Sequence, residues 1–288
     1  MTWFDLQEQL AQIAKLQLFF VGGAPRSGTT WLQQMLDAHP EVSCRGEALL
    51  QRHLGEPLEA LMAARGKALT AKNTALFQHT GGYPLPQPED TEHLFGTGVL
   101  LALLRQGAGR NCRAIGEKTP ENVFHFARLK KLFPQAKCIG IARDPRDVLA
   151  SAWCFFNKNA DAAGKLDFIR SAMPSLHQGA EAMLALSQEF PTDYTMVTYE
   201  ALLAAPEAAL PHLFGFLGVA SDARIVTSCL TQTSFATQTG GRPPGAAHNG
   251  TFLRNGRAGD WQSVLTAEMN EMVLEKLGWM FPHFGWAA

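Results

Sequence analysis

A glycine- and hydroxyl-rich loop, placed between a strand pattern and a helix pattern, constrains the fold of this chain most. Residues 23–30 read Gly-Ala-Pro-Arg-Ser-Gly-Thr-Thr. An apolar run rich in β-forming residues precedes the loop at 16–21, and apolar residues at helical spacing follow it at 31–36. A strand, such a loop and a helix in this order predict an anion-binding turn in an α/β fold.

The loop departs from the Walker A pattern at the position of its lysine. In nucleotide triphosphatases, Gly-x-x-x-x-Gly is followed by a lysine for the β and γ phosphates and by a hydroxyl for magnesium. Thr29 and Thr30 occupy these places here, and the cation sits earlier, at Arg26. The amides of Ser27, Gly28 and both threonines are expected to face an anion. The loop suits a 5′-phosphate or phosphosulfate without an obligatory metal; the alternative is a turn without a ligand.

Composition limits the class of protein and of partner. The 288 residues are 46% hydrophobic, enough for a substantial core in one α/β domain over 1–288. A net charge of −1 argues against a broad nucleic-acid footprint and favours a small partner. The five cysteines contain no Cys-x-x-Cys pair, so neither a disulfide framework nor a zinc site is indicated. The first apolar run is too short for a signal peptide or a membrane span, which predicts a cytoplasmic protein.

The strand and helix patterns alternate along the chain. Apolar runs predict strands, and periodic segments predict helices, with an Asp-Pro or Pro-Glu pair opening two of the helices. The strands are expected at 16–21, 113–116, 136–142 and 194–198, and the helices at 123–133, 145–156 and 206–217. This order predicts a mainly parallel sheet flanked by helices, with a P-loop-like nucleotide-binding core.

Two stretches rich in glycine and proline interrupt the pattern, at 78–98 and 237–259. Both are predicted to be surface loops. At the mouth of an α/β sheet such loops are either lids over a substrate or plain connections, and the residues alone leave both open.

Two further segments carry arginines where an anion would bind. Arg143 follows the strand 136–142, at the edge where open α/β sheets bind ligands, and Ser151 lies two helical turns later. The segment 252–261 interleaves arginines with glycines, so that guanidinium groups lie beside a backbone that phosphate oxygens can approach closely. Arg143 and Ser151 together could hold a second phosphate, or form a surface ion pair and an ordinary helix serine.

In this order the segments resemble the sulfotransferases that use 3′-phosphoadenosine 5′-phosphosulfate (PAPS), of the bacterial type and with local similarity to the protein-tyrosine branch. Residues 25–31 look like the 5′-phosphosulfate loop, with arginine where the cytosolic small-molecule enzymes have lysine. Arg143 and Ser151 match the 3′-phosphate site of that family in type and spacing. Residues 233–235 are similar to its Thr-Ser-Phe segment, and 254–261 to its C-terminal Arg-Lys-Gly-x-x-Gly-Asp-Trp loop, with Asn255 in place of the lysine.

The resemblance implies a PAPS site that releases 3′-phosphoadenosine 5′-phosphate (PAP) and requires no metal. Trp31 is expected to stack on adenine, the alternative being an ordinary core tryptophan on an amphipathic helix. Tyr199 is expected to lie near the cofactor or to serve the core. The full cofactor-binding set is Arg26, Ser27, Gly28, Thr29, Thr30, Trp31, Arg143, Ser151, Tyr199, Thr233, Phe235, Leu253, Arg254, Asn255 and Gly256.

Catalysis is assigned to Glu47, Lys118 and Arg26. Lys118 follows a predicted strand, so its side chain can extend over the edge of the sheet where the carboxyl ends of the strands lie. There it and Arg26 would stabilise the negative charge that develops on the transferred sulfuryl group. The segment 37–47 is similar to the protein-tyrosine sulfotransferase branch, whose base glutamate falls at Glu47. Glu117 and His125 are the rival bases.

The predicted function is therefore sulfuryl transfer from PAPS to a hydroxyl or phenol, on a small molecule or a tyrosine peptide. A P-loop kinase or triphosphatase and a non-catalytic nucleotide-binding module are the alternatives. Residues 45–110 are expected to form a substrate-facing insertion, and 237–261 a glycine-rich cofactor or substrate loop. No nucleic acid or membrane partner is expected, and the sequence does not indicate the oligomeric state.

Overall fold

Five parallel strands form the centre of the computed structural model, which describes residues 2–156, 162–248 and 251–287. The sheet order is β2-β3-β1-β4-β5, and every neighbouring pair is parallel. The strands are β1 (Gln17–Gly23), β2 (Val42–Cys44), β3 (Ala114–Lys118), β4 (Lys137–Ala142) and β5 (Tyr194–Thr198). The predicted α/β class with a parallel sheet is confirmed.

Helices connect the strands and cover the sheet. They are α1 (Trp3–Ile13), α2 (Thr29–Asp37), α3 (Glu56–Leu76), α4 (Pro88–Gly107), α5 (Phe126–Leu132), α6 (Pro145–Phe156), α7 (Ala162–Glu189), α8 (Tyr199–Ala204), α9 (Pro206–Phe216), α10 (Ala223–Gln232), α11 (Phe235–Gln238), α12 (Ala267–Leu277) and α13 (Met280–Phe284). A π-helical turn spans Gln51–Gly55, and 3₁₀ turns span Pro120–Phe124 and Asp260–Ser263.

Alternate residues of β1 divide the core between the two faces of the sheet. Leu18 and Phe20 belong to one apolar cluster, which α4, α5, α7 and α12 cover. Phe19 and Val21 belong to the other, which α2, α9 and α10 cover. Because β1 is buried on both faces, its sequence is a continuous apolar run rather than an alternating one.

Several predicted boundaries were wrong for identifiable reasons. The stretch 78–98 is not a loop throughout, because Pro88 is the first residue of α4, where proline is tolerated. The helix expected over 123–133 is interrupted at His125, which separates a 3₁₀ turn from α5. β2 was not predicted, and β3 ends at Lys118 rather than at 116. The stretch 237–259 is irregular beyond α11, as predicted, over its described part; 249–250 lie outside the described residues.

Candidate functional site

The strand order places three predicted site segments side by side. From β1 the chain moves to one side of the sheet for β2 and β3, and to the other side for β4 and β5. Ligands bind at such a switch point, beyond the carboxyl ends of the strands. Lys118 at the end of β3 is in register with Val21 of β1, and Ile141 of β4 with Gly23. The loop after β1 therefore lies between Lys118 and Arg143.

A tight turn shapes the loop after β1. Gly28 has φ +98° and forms the N-cap of α2, so the first amides of that helix open into the loop. A Cβ on Gly28 would come within 2.7 Å of the Tyr199 ring, so only glycine fits between the loop and α8. Arg26 also has a positive φ, of 74°, although it carries a side chain. Tertiary contacts must hold this residue in a sparsely populated conformation.

The guanidinium of Arg26 is directed at Ser151. Its Nε donates to Ser151 Oγ at 3.3 Å, and its Nη2 donates to the carbonyl oxygen of Phe252 at 2.6 Å. The rings of Phe155 and Phe252 lie 4.5 and 4.8 Å from it. Arg26 thus contacts the residue predicted for the 3′-phosphate, whereas the sequence assigned it to the transferred group. The aromatic contacts account for this direction, and its catalytic role stays a prediction.

Arg143 joins the first loop to the C-terminal loop. Its guanidinium lies 4.2 Å from the centre of the Tyr199 ring. Nη1 donates to the carbonyl oxygen of Arg26 at 3.3 Å, and Nη2 to that of Arg257 at 3.0 Å. Asp147, one helical turn after Arg143, accepts hydrogen bonds from the amides of Gly259 and Trp261 at 2.8 and 2.9 Å. The three segments that carry the predicted arginines therefore meet.

Positive charge accumulates where these segments meet. The pKa of Arg26 is lowered to about 10, mainly by burial and further by the neighbouring guanidinium groups of Arg143 and Arg254. Arg254 is buried and forms an ion pair with Asp260. Ser27 Oγ, Arg143 Nε and Arg254 Nε are buried without a hydrogen-bond partner among the described residues. Unpaired donors beside crowded guanidinium groups favour a bound polyanion, so the residues present fit a nucleotide phosphate.

Aromatic side chains form another part of the site. Trp31 donates from Nε1 to the carbonyl oxygen of Thr233 at 3.1 Å and contacts the Tyr199 ring edge-on, with centroids 5.6 Å apart. Gly256 packs on the ring of Phe235, where a Cβ would approach to 2.5 Å. The Thr-Ser-Phe segment is thus adjacent to both Trp31 and the C-terminal loop. Adenine stacking on Trp31 stays a prediction.

Lys118 and Glu47 form an ion pair beside the loop. The Lys118 side chain is 1% exposed, and its Nζ donates to the Glu47 carboxylate and, at 2.9 Å, to Thr30 Oγ1. Glu47 is 40% exposed and lines the cavity that these residues surround. The structure therefore brings together the predicted base, the predicted catalytic lysine and a hydroxyl of the loop. Their catalytic roles stay predictions.

The rival bases occupy other environments. Glu117 is buried and its carboxylate accepts hydrogen bonds from the amide of Ala48, from Thr119 Oγ1 and from Asn122 Nδ2. His125 lies at the start of α5, where burial lowers its pKa. Neither residue lines the cavity. Glu47 is the candidate that combines a cationic partner with access to the cavity.

The cavity between the three segments has a volume of about 480 Å³. Of the predicted set, its walls contain Arg26, Gly28, Thr29, Thr30, Trp31, Glu47, Arg143, Ser151, Tyr199, Phe235, Leu253, Arg254, Asn255 and Gly256. Ser27, Lys118 and Thr233 are buried and are not among the residues that line it. Phe155 was not predicted, although it lies one helical turn after Ser151 and so on the same face of α6. Phe252, to which the sequence gave no individual role, also lines the cavity.

Neither a metal cluster nor a membrane span occurs in the part of the chain that the structure describes. No group of three or more His, Cys, Asp or Glu side chains is arranged there to hold a metal ion. No helix in residues 2–156, 162–248 or 251–287 is both long and apolar enough to cross a membrane. All five cysteines are free.

Comparisons with known proteins agree with the geometry. Residues 19–223 match the model described as "Sulfotransferase family". A putative protein-tyrosine sulfotransferase of Caenorhabditis briggsae is 29% identical over 202 residues, which cover 70% of this chain and 65% of that protein. Protein-tyrosine sulfotransferase 2 of Gallus gallus is 29% identical over 210 residues, covering 71% and 52%. The chain thus spans about half to two thirds of the length of these relatives.

A solved structure has the same fold. Mouse sulfotransferase SULT7A1, complexed with PAP, superimposes with a TM-score of 0.59, 15% sequence identity, and coverage of 96% of this chain and 88% of that chain. At this identity the likeness concerns the fold.

Proposed function

This chain belongs to the sulfotransferase family, and from that premise we propose that it transfers a sulfuryl group from PAPS to a hydroxyl or phenol. One observation carries the proposal: Arg26, Arg143 and Arg254 converge on a cavity that the Lys118–Glu47 pair also adjoins. Such a site can bind an anionic nucleotide and hold a general base near it. PAP, named in the structure of the mouse enzyme, is the product that this reaction leaves.

In the proposed complex the loop amides at the start of α2 hold the 5′-phosphosulfate. Arg143 and Ser151 hold the 3′-phosphate, and Arg26, which contacts Ser151, adds charge to that end of the cavity. Trp31 and Phe235 offer aromatic faces for adenine. The donor carries its own reactive phosphosulfate bond, and no metal enters the proposal.

The proposed reaction is a substitution at sulfur, in which one S–O bond forms and another breaks. The acceptor hydroxyl gives its proton to the Glu47 carboxylate, and its oxygen forms the new bond to sulfur. The bond from sulfur to the 5′-phosphate oxygen breaks, and its electron pair leaves with PAP. Lys118 stabilises the charge that spreads over the transferred group, and Thr30 Oγ1 orients its ammonium.

The acceptor is proposed as a hydroxyl-bearing compound, with a tyrosine-like phenol as the first candidate. The named relatives are protein-tyrosine sulfotransferases, and the segment 37–47, which leads to Glu47, is similar in sequence to that branch. A kinase or triphosphatase is not favoured, because Thr29 stands at the position of the lysine that reaches the β- and γ-phosphates in those enzymes.

Replacing the base tests the proposal. Glu47→Gln keeps the shape of the side chain but cannot accept the acceptor proton, so kcat should fall by about two or more orders of magnitude. PAP affinity should stay within about twofold, since Glu47 lies beside the nucleotide-binding loop rather than in it. The matched control is Glu121→Gln, another carboxylate that lines the cavity, and it should retain turnover.

Transfer of radiolabelled sulfuryl from PAPS to a panel of phenols and tyrosine peptides provides the assay. Equal turnover by the parent and Glu47→Gln would remove Glu47 from the role of base. An inactive parent that binds magnesium ATP in preference to PAP would overturn the function itself.

A further inference from the structure

Three successive residues at the end of β3 bind three successive residues of the segment that carries Glu47. Lys118 Nζ donates to the Glu47 carboxylate. The amide of Ala48 donates to Glu117 Oε1 at 2.8 Å. The amide of Leu49 donates to Thr119 Oγ1 at 3.2 Å. The segment 47–49 is therefore attached through one side chain and two backbone amides.

Glu117 and Lys118 act from opposite sides of the sheet, because side chains alternate along a strand. Lys118 fixes the carboxylate of the base, whereas Glu117 fixes the backbone one residue later. Removing Glu117 therefore leaves the Lys118 ion pair chemically intact while it frees the backbone that carries Glu47. The two contributions can be separated by substitution.

The held segment has an unfavourable conformation. Leu49 has φ +49°, a left-handed backbone angle that costs energy for any residue with a Cβ. Such a conformation persists only while neighbouring contacts impose it. The hydrogen bonds from the amides of Ala48 and Leu49 are such contacts.

Glu117 is itself rigidly placed. Thr119 Oγ1 donates to it at 2.5 Å and Asn122 Nδ2 at 2.7 Å, so both carboxylate oxygens accept hydrogen bonds. Asn122 Nδ2 also donates to the carbonyl oxygen of Val21 at 3.1 Å, which ties the network to β1, the strand that leads into the phosphate loop. Burial raises the pKa of Glu117, while its hydrogen bonds to Thr119, Asn122 and Ala48 act in the other direction. These donors all favour an ionised acceptor.

We propose that Glu117 and Thr119 are positioning residues for the base, fixing the 47–49 segment so that the Glu47 carboxylate faces the acceptor. The inference rests on the proposed function, in which Glu47 is that base. Glu117, itself a rival candidate for the base, thereby has a different role. Because Glu117 is buried and both its carboxylate oxygens already accept hydrogen bonds, it orients Glu47 and does not take the proton of the acceptor hydroxyl.

The test uses Glu117→Gln, Thr119→Val and the conservative Thr119→Ser in the full chain. In Glu117→Gln one carboxylate oxygen becomes an amide NH₂, which can no longer accept a hydrogen bond from the donor that faces it. Thr119→Val removes the hydroxyl that accepts from the amide of Leu49 and donates to Glu117. Each should lower kcat about ten- to a hundredfold, with PAP affinity within about twofold of the parent. Thr119→Ser keeps the hydroxyl and should stay within about threefold of the parent kcat. If Glu117→Gln does not fold, the comparison of Thr119→Val with Thr119→Ser still tests the proposal.

A double-mutant comparison separates positioning from general damage. If Glu117 acts through Glu47, adding Glu117→Gln to Glu47→Gln should lower kcat less than about threefold further. The inference is overturned if the double variant loses the product of the two single effects, or if Thr119→Val turns over like Thr119→Ser. Failure of the proposed function gives a different result, because the parent would then not transfer sulfuryl from PAPS at all.

Discussion

Arg143→Ala should separate recognition of the 3′-phosphate from recognition of the rest of the nucleotide. Arg143 lies against the Tyr199 ring and donates to two backbone carbonyl oxygens, so its guanidinium is held in place before a ligand binds. A preorganised cation loses little conformational entropy on binding. Its Nε is buried without a partner among the described residues and is free to donate to a phosphate.

The size of the effect follows from these contacts. Hydrogen bonds to charged groups contribute about 1.5–3 kcal/mol each. Losing the one that Arg143 Nε can donate to the phosphate should weaken PAP binding by about ten- to a hundredfold, at about 1.4 kcal/mol per tenfold. AMP lacks the 3′-phosphate, so its affinity should fall by no more than about threefold. The ratio of the two affinities, rather than either alone, measures the contribution of Arg143 to 3′-phosphate binding.

Calorimetric titration of parent and variant with PAP and with AMP, at one fixed ionic strength, gives this ratio for each protein. Arg128→Ala is the matched control, because Arg128 also lies over an aromatic ring, at 4.4 Å from the centre of Phe95, but does not line the cavity. It should leave the ratio unchanged. Equal losses of PAP and AMP affinity in Arg143→Ala would refute the assignment of Arg143 to the 3′-phosphate.

Two further substitutions test the loop and the fold. Gly28→Ala should weaken PAP binding at least about tenfold and lower stability by about 1–3 kcal/mol, because φ is +98° and the new Cβ would meet Tyr199; unchanged titration and urea denaturation would contradict this. Asp193→Asn should lower the free energy of unfolding by about 1 kcal/mol at pH 7. Hydrogen bonds from Lys137 and Lys130 lower the pKa of Asp193, so its stabilisation is present above its unfolded pKa of about 4 and is lost as pH falls through the lower folded value. The difference between parent and variant should therefore shrink steadily as pH falls below about 4. A difference that stays constant over that fall would exclude the carboxylate as its source.

The strands and helices that sequence patterns predicted well are those with strong local signals. β1, β4 and β5 are apolar runs bounded by turn residues, and α6 begins at an Asp-Pro pair. β2 has three residues, too few for a pattern, and exists because it pairs with β3. Pro88 by itself predicts the end of a helix or strand. It is the first residue of α4 because the residues that follow it are helical.

Within the site, sequence predicted positions better than directions. The ends of parallel strands must lie together, so the proximity of the phosphate loop, Lys118 and Arg143 follows from topology. The direction of Arg26 does not, because its backbone φ and the rings of Phe155 and Phe252 decide it. These rings come from segments far along the chain. The hydrogen bonds between the end of β3 and segment 47–49 are likewise tertiary, and no local pattern indicates them.

Calorimetric titration of the parent protein with PAP, AMP and magnesium ATP tests the central claim most directly. A PAPS-dependent sulfotransferase should bind PAP at least about a hundredfold more tightly than either of the others, because only PAP can engage both the phosphate loop and Arg143 with Ser151. Binding of magnesium ATP in preference to PAP would contradict the account.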